Sequence, residues 1–116
     1  MGAQGTTTID FGTFPGKSDT SVTVTGQASI VAGSLVEAWV RPVATADHLA
    51  DEHLIESVKV IAGNIVAGTS FTIYGFNTST VQETPLGYLS SNQTRAGLAG
   101  KGTRLYGLWT VAWVWN

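Results

Sequence analysis

The chain has 116 residues, a formal net charge of −2, 12% charged and 43% hydrophobic side chains, 4 tryptophans and no cysteine. That length holds one domain and excludes a second independent core. The missing cysteines exclude disulfides and thiolate metal sites, and the hydrophobic content excludes intrinsic disorder. Six Lys and Arg make no field for charge-driven contact with nucleic acid or anionic lipid. No apolar run reaches the roughly 20 residues of a membrane helix, so neither a nucleic-acid nor a membrane partner is expected. The start Met1-Gly2-Ala3-Gln4-Gly5 has none of the basic and apolar regions of a secretory signal, which points to synthesis in a cytoplasm. The charged fraction is about half the usual quarter for a soluble domain. Such a surface is either coated with Thr, Ser, Asn and Gly or shared with other subunits.

Strand signals come first in the chain. Thr6-Thr7-Thr8-Ile9-Asp10-Phe11 alternates, with Thr7, Ile9 and Phe11 on one face, before the turn Phe14-Pro15-Gly16-Lys17. Ser21-Val22-Thr23-Val24-Thr25 places its valines inward and its hydroxyls outward. Leu35 to Arg41 reads as a third strand, with Trp39 packed near a sheet edge and Pro42 at its far end. Thr45 to Glu56 carries the one helical signature, a short acidic turn capped by Thr45 or Asp47. Ser57 to Ala62 and Phe71 to Phe76 resume as strands that can pair, with turns at Gly63-Asn64 and Ala67-Gly68.

From Asn77 to Thr103 the pattern gives way to Thr, Ser, Gln, Asn and Gly, a connection long enough to read as an insertion or arm. Arg104 to Asn116 is the most apolar stretch. Trp109, Val111, Trp113 and Trp115 share one face and Leu108, Ala112 and Val114 the other, so a second layer of the domain or a neighbouring subunit must cover it. The fold expected is all-β: a small antiparallel β-sandwich or flattened barrel of six to seven strands, a single domain over 1–116 with 77–103 as a long polar arm.

Chemistry is sparse. His48 and His53 lie among Asp47, Asp51 and Glu52, which raises a metal or acid–base site. Histidines five apart point to opposite faces of a strand and sit roughly 140° apart on a helix, unlike the one-turn spacing of zinc helices. A capped, solvated acidic turn accounts for the segment, with His48 beside Glu52 and Asp47 beside Asp51. No Gly-x-Ser-x-Gly elbow is present, and Gly97 to Thr103 departs from phosphate-loop spacing. No catalytic residue, cofactor or metal is assigned. Met1 to Thr6 fits the loose myristoylation pattern and Asn77 and Asn92 the glycosylation triplet, and both read as plain flexible sequence. Arg95, Lys101 and Arg104 gather at the end of the arm, complementary to the acidic segment; the two are either separate solvated surfaces or a contact in which the arm of one copy reaches Asp47, Asp51 and Glu52 of another. Trp109, Trp113 and Trp115 are expected in a core or subunit interface. Tyr88 and Tyr106 flank the arm and suit stacking on a sugar or a neighbour.

Several strings carry a resemblance: Thr6-Thr7-Thr8-Ile9-Asp10-Phe11-Gly12, Phe14-Pro15-Gly16, Val22-Thr23-Val24-Thr25-Gly26-Gln27, Ala44-Thr45-Ala46-Asp47-His48, Ala67 to Tyr74, and Trp109 to Asn116. With these the chain resembles a family of small proteins encoded among the virion structural genes of tailed bacteriophages, over nearly all of its length outside 78–103. The resemblance implies a non-enzymatic β-rich virion component on the capsid exterior or in the tail, and carries over no catalytic or binding residue. The function expected is a decoration or cement protein of the capsid, assembled in the host cytoplasm. Its partners would be the major capsid protein or tail proteins and further copies of itself, a trimer being favoured. The alternative is a tail-fibre or receptor-recognition module whose arm contacts host-surface glycan.

Overall fold

A computed structural model describes residues 2–78 and 104–116. Its strands are β1 (Ala3–Asp10), β2 (Asp19–Val24), β3 (Val36–Val40), β4 (Val58–Val66), β5 (Ser70–Asn77) and β6 (Leu108–Trp115), with one short helix, α1 (Glu52–Ile55). Among the described residues they form two three-stranded antiparallel sheets, ordered β1-β6-β3 and β2-β5-β4. The sheets pack face to face as a small β-sandwich, as the alternation in the sequence requires. The arm expected within 77–103 lies outside the described residues beyond Thr78.

β6 is the middle strand of its sheet, with Trp109, Val111, Trp113 and Trp115 on the face turned to the second sheet. Trp109, Trp113 and Trp115 retain 1%, 8% and 4% of their surface. Of the two coverings the sequence left open, the chain's own second sheet is the one seen: the ring of Phe71 on β5 meets Trp113 edge-on at 5.3 Å. Of the core or subunit interface expected for the three tryptophans, the core is what they form within the chain. Ile9, Phe11, Phe71, Ile73 and Val111 complete the fully buried centre.

Two glycines are dictated by this packing. A Cβ at Gly75, on the middle strand of the second sheet, would lie 2.7 Å from Ile9 Cδ1 and 3.2 Å from Phe11 Cζ. A Cβ at Gly5 would lie 2.7 Å from the Trp113 ring. Gly5 is a seat for a side chain of the neighbouring strand and Gly75 for side chains of the facing layer, and neither reads as a strand former by propensity. This is why β1 begins at Ala3 although the sequence pattern begins at Thr6.

β4 likewise outruns its expected end. It continues through Gly63-Asn64 to Val66 by a register irregularity between Gly63 and Val66, with Asn64 at φ 50°, and the turn falls at Ala67–Thr69. An Asn that tolerates positive φ can serve a bulge as readily as a turn.

The alternation of backbone bonds fixes which groups point where. Phe11 N–H donates to Gly107 O at 3.0 Å, so odd residues of β1 face β6. Arg41 N–H donates to Thr110 O at 2.9 Å, and Leu35 and Asn116 exchange both of their bonds, so even residues of β6 face β3. At the other end, Lys17 and Leu105 exchange backbone bonds of 2.9 Å each, pinning the chain at 104–106 to the turn that follows β1.

Gly75→Ala should lose about 1–3 kcal/mol in urea denaturation because Ile9 and Phe11 must move. Trp109→Ala should lose about 3–5 kcal/mol. Equal, small losses at both positions would contradict this packing.

Candidate functional site

β3 ends at Val40 while β6 reaches back to Leu108, so the first residues of β6 have no strand on that side. Pro42 cannot donate a backbone bond there. Side chains of the loop that follows take the place of the missing strand. Thr110 N–H donates to His53 Nε2 at 3.1 Å, and Leu108 N–H to Asp47 Oδ2 at 2.8 Å. Thr45 Oγ1 donates to Leu108 O at 2.8 Å, and Thr110 Oγ1 to Val43 O at 2.8 Å. The residues that the sequence marks as a candidate acid–base or metal cluster thus complete a β-ladder.

These contacts settle the ring protonation of His53. Its Nε2 accepts from a backbone N–H, and its Nδ1 lies 2.9 Å from Leu49 O, which can only accept. His53 is therefore neutral with its proton on Nδ1. His48 differs: Nε2 lies 2.6 Å from Tyr106 O and Nδ1 lies 2.8 Å from Glu52 Oε1. Both ring nitrogens are thus held, one by a backbone carbonyl and one by a carboxylate. The imidazole is stacked on the indole of Trp109, ring centres 3.8 Å apart and 19° from parallel.

Glu52 is held from two sides. Its Oε2 accepts from Leu49 N–H at 2.8 Å, and His48 holds Oε1; the Leu49 bond first and His48 second keep its carboxyl below the ordinary carboxylate range. The acidic residues of the segment lie at the surface, as expected, but its two histidines turn inward. His48 and His53 are 4% and 6% exposed, and the helix spans only Glu52–Ile55, with Asp51 as N-cap and no side-chain cap bond. Thr45 instead receives Asp47 N–H and His48 N–H on its hydroxyl. His48 does neighbour Glu52 as expected, whereas Asp47 turns to Leu108 and away from Asp51.

Every ring nitrogen of the two histidines is committed, so a metal would have to displace a bond to backbone or carboxylate. Among the described residues no group of three possible metal ligands converges. The same commitments bear on the expected contact between arm and acidic segment: Asp47 and Glu52 are bound internally, while Asp51 remains exposed. Arg104 is exposed at the base of the 79–103 segment; Tyr88, Arg95 and Lys101 lie outside the described residues.

The surface feature that the sequence reading underweighted is Trp39. On β3 the side chains of Val36, Ala38 and Val40 turn inward, leaving Glu37, Trp39 and Arg41 outward, with Trp39 47% exposed. Trp39 lies on the edge strand of its sheet, as expected from the sequence, and faces outward. In the observed register Trp39 stands opposite Ala112, which stands opposite Thr6. The outer face of this sheet is thus Gln4, Thr6 and Thr8 on β1, Ala112 and Val114 on β6, and Trp39 on β3. Charge lies only at its margins, in Asp10, Glu37 and Arg41. At one end of the sheet a cavity of about 360 Å³ is lined by Leu35, Val36, Glu37, Val114, Trp115 and Asn116, a mainly apolar hollow with one carboxylate. A second exposed aromatic feature is the edge-on pair Phe14 and Tyr106, ring centres 5.3 Å apart.

Comparison with protein families, with characterised proteins and with solved structures finds no match to this chain.

His53→Phe keeps an aromatic ring but leaves Thr110 N–H without an acceptor, so denaturation should show a loss of about 1–3 kcal/mol. A neutral result would remove His53 from the ladder. Because Glu52 has a lowered pKa in the folded chain, its contribution is complete above about pH 4.5 and disappears as the pH falls through the lower folded value. Glu52→Gln should therefore lower the melting temperature at pH 7, with the gap to the unsubstituted chain closing in strongly acidic solution. A gap that is constant with pH would contradict the ionic role.

Proposed function

We propose that the chain is a non-enzymatic structural component of a bacteriophage particle, a decoration or cement protein that stabilises the particle through subunit contacts. The observation that carries this reading is the outer face of the β1-β6-β3 sheet, a strand surface of Thr, Gln, Ala and Val beside a half-exposed Trp39 on the edge strand, where Glu37 and Arg41 flank it. Surfaces that bury against another subunit are poor in charge at their centre and enriched in aromatic residues. The low overall charge and the resemblance in the strings around Thr6–Gly12 and Trp109–Asn116 support the same reading. Its partners would be the major capsid protein or tail proteins and further copies of the chain, in the virion.

Attachment then rests on apolar burial with Trp39 as anchor. The test is binding of the purified chain to particles lacking it. Trp39→Ala should fold normally, since the side chain is half exposed, and lose about tenfold or more in affinity. Undiminished binding of that variant would exclude the face, and failure of the chain to associate with particles at all would exclude the function.

A second reading has its own observation, the exposed Phe14 and Tyr106 rings beside the base of the 79–103 segment. Exposed aromatic faces stack on sugars, as a receptor-recognition module of the tail would require. Glycan-array binding that is lost in Tyr106→Ala would favour it over attachment to the shell.

A further inference from the structure

β1 is an edge strand, and its open side is built in a way that edge strands of monomeric proteins avoid. Its odd residues bond to β6, so the N–H and C=O groups of Gln4, Thr6 and Thr8 point out of the sheet. Among the described residues none of these groups has a partner, and all three side chains are exposed. The strand runs eight residues in unbroken register, with no bulge, no proline, no lysine or arginine, and a single charge at its end. That charge, Asp10, already accepts the Gly12 N–H at 2.8 Å. Natural edges are blunted by bulges, prolines, short length or charge, and β1 has none of these over Ala3–Ile9. The other edge of the sheet differs: β3 lies close along β4, and its outward backbone groups belong to the half-buried Val36, Ala38 and Val40. β2 shares the open side with β1 but is shorter, and Asp19 lies on its exposed edge.

We propose that β1 is a homodimerisation edge: two copies pair their β1 strands antiparallel about a two-fold axis at Thr6, joining two three-stranded sheets into one continuous sheet. The occupant follows from the strand's own symmetry. With Thr6 on the axis, Thr6 faces Thr6, and Gln4 of one copy faces Thr8 of the other, pairs whose hydroxyl and amide groups can bond across the strands. The backbone groups left open in each copy are satisfied by the other in about six hydrogen bonds. Asp10 of one copy falls opposite Gly2 of the other, so the two carboxylates stay at opposite ends of the contact. A two-fold contact of this kind is closed and self-complementary, and it needs no second patch on the molecule. It also makes the uncharged outer face continuous, since Thr6 lies in the row of Ala112 and Trp39. The pairing does not depend on the virion reading.

Sedimentation equilibrium of the full chain tests it. The expected mass is twice the 12.2 kDa of one chain. Thr6→Pro removes an N–H that points away from β6, so the intrachain ladder survives while the dimer is lost, and Thr6→Lys does the same by placing like charges on the axis. Both variants should sediment as monomers with an unchanged β circular-dichroism spectrum. Should either fail to fold, hydrogen exchange in the unsubstituted chain decides. The Thr6 and Thr8 amides should be protected at high concentration and lose that protection on dilution. A monomer up to roughly 0.1 mM, a trimer, an assembly indifferent to Thr6→Pro, or Thr6 and Thr8 amides that exchange freely at every concentration would each overturn the proposal.

Discussion

The structure depends on β6 having a bonded backbone along both of its edges. As the middle strand of its sheet it is buried over most of its length, and buried backbone groups without partners are costly. β1 serves one edge along the whole strand. β3 serves the other only as far as Val40. What remains is filled by His53, Asp47 and Thr45, and this requirement organises the loop from Arg41 to Ser57. Once His53 must accept from Thr110, its remaining nitrogen is turned to Leu49; once the loop is so placed, His48 lies on Trp109 with Glu52 beside it. Histidines and carboxylates that would signal chemistry in another context here substitute for a strand.

Alternation carried most of the fold. Val22 and Val24, Ile9 and Phe11, Phe71 and Ile73 each lie on the inward face that a period of two assigns, and the apolar terminal stretch proved to be the middle strand, its tryptophan face turned to the second sheet. The strand ends were illegible at Gly5 and Gly63-Asn64, where a partner's bulk or a bulge decides and local propensity misleads. The site was half legible. The pairing of His48 with Glu52 follows from their spacing. The bonds from Thr110 and Leu108 to His53 and Asp47 join residues more than 50 apart in sequence, and only the point where β3 stops creates the need for them. The edge position of Trp39 was legible, and its outward side follows from the alternation of Glu37, Trp39 and Arg41.

The scarcity of charge acquires a location in this account. Two of the acidic groups, Asp47 and Glu52, are spent on internal bonds, and the outer face of the β1-β6-β3 sheet holds its few charges at the rim. The face beside Trp39 and the open edge of β1 belong to the same sheet. One offers a flat, weakly polar surface and the other unpaired backbone, two different means by which a small β-sandwich can build contacts that its own core does not use.

The claim that side chains complete the β6 ladder is tested most directly by ¹⁵N NMR of the histidine rings at neutral pH. The account predicts that His53 carries its proton on Nδ1, and that its Nε2 shows the shift of an acceptor coupled to the Thr110 amide. A His53 ring protonated on Nε2 would contradict it, because two donors would then face each other where the structure requires a bond.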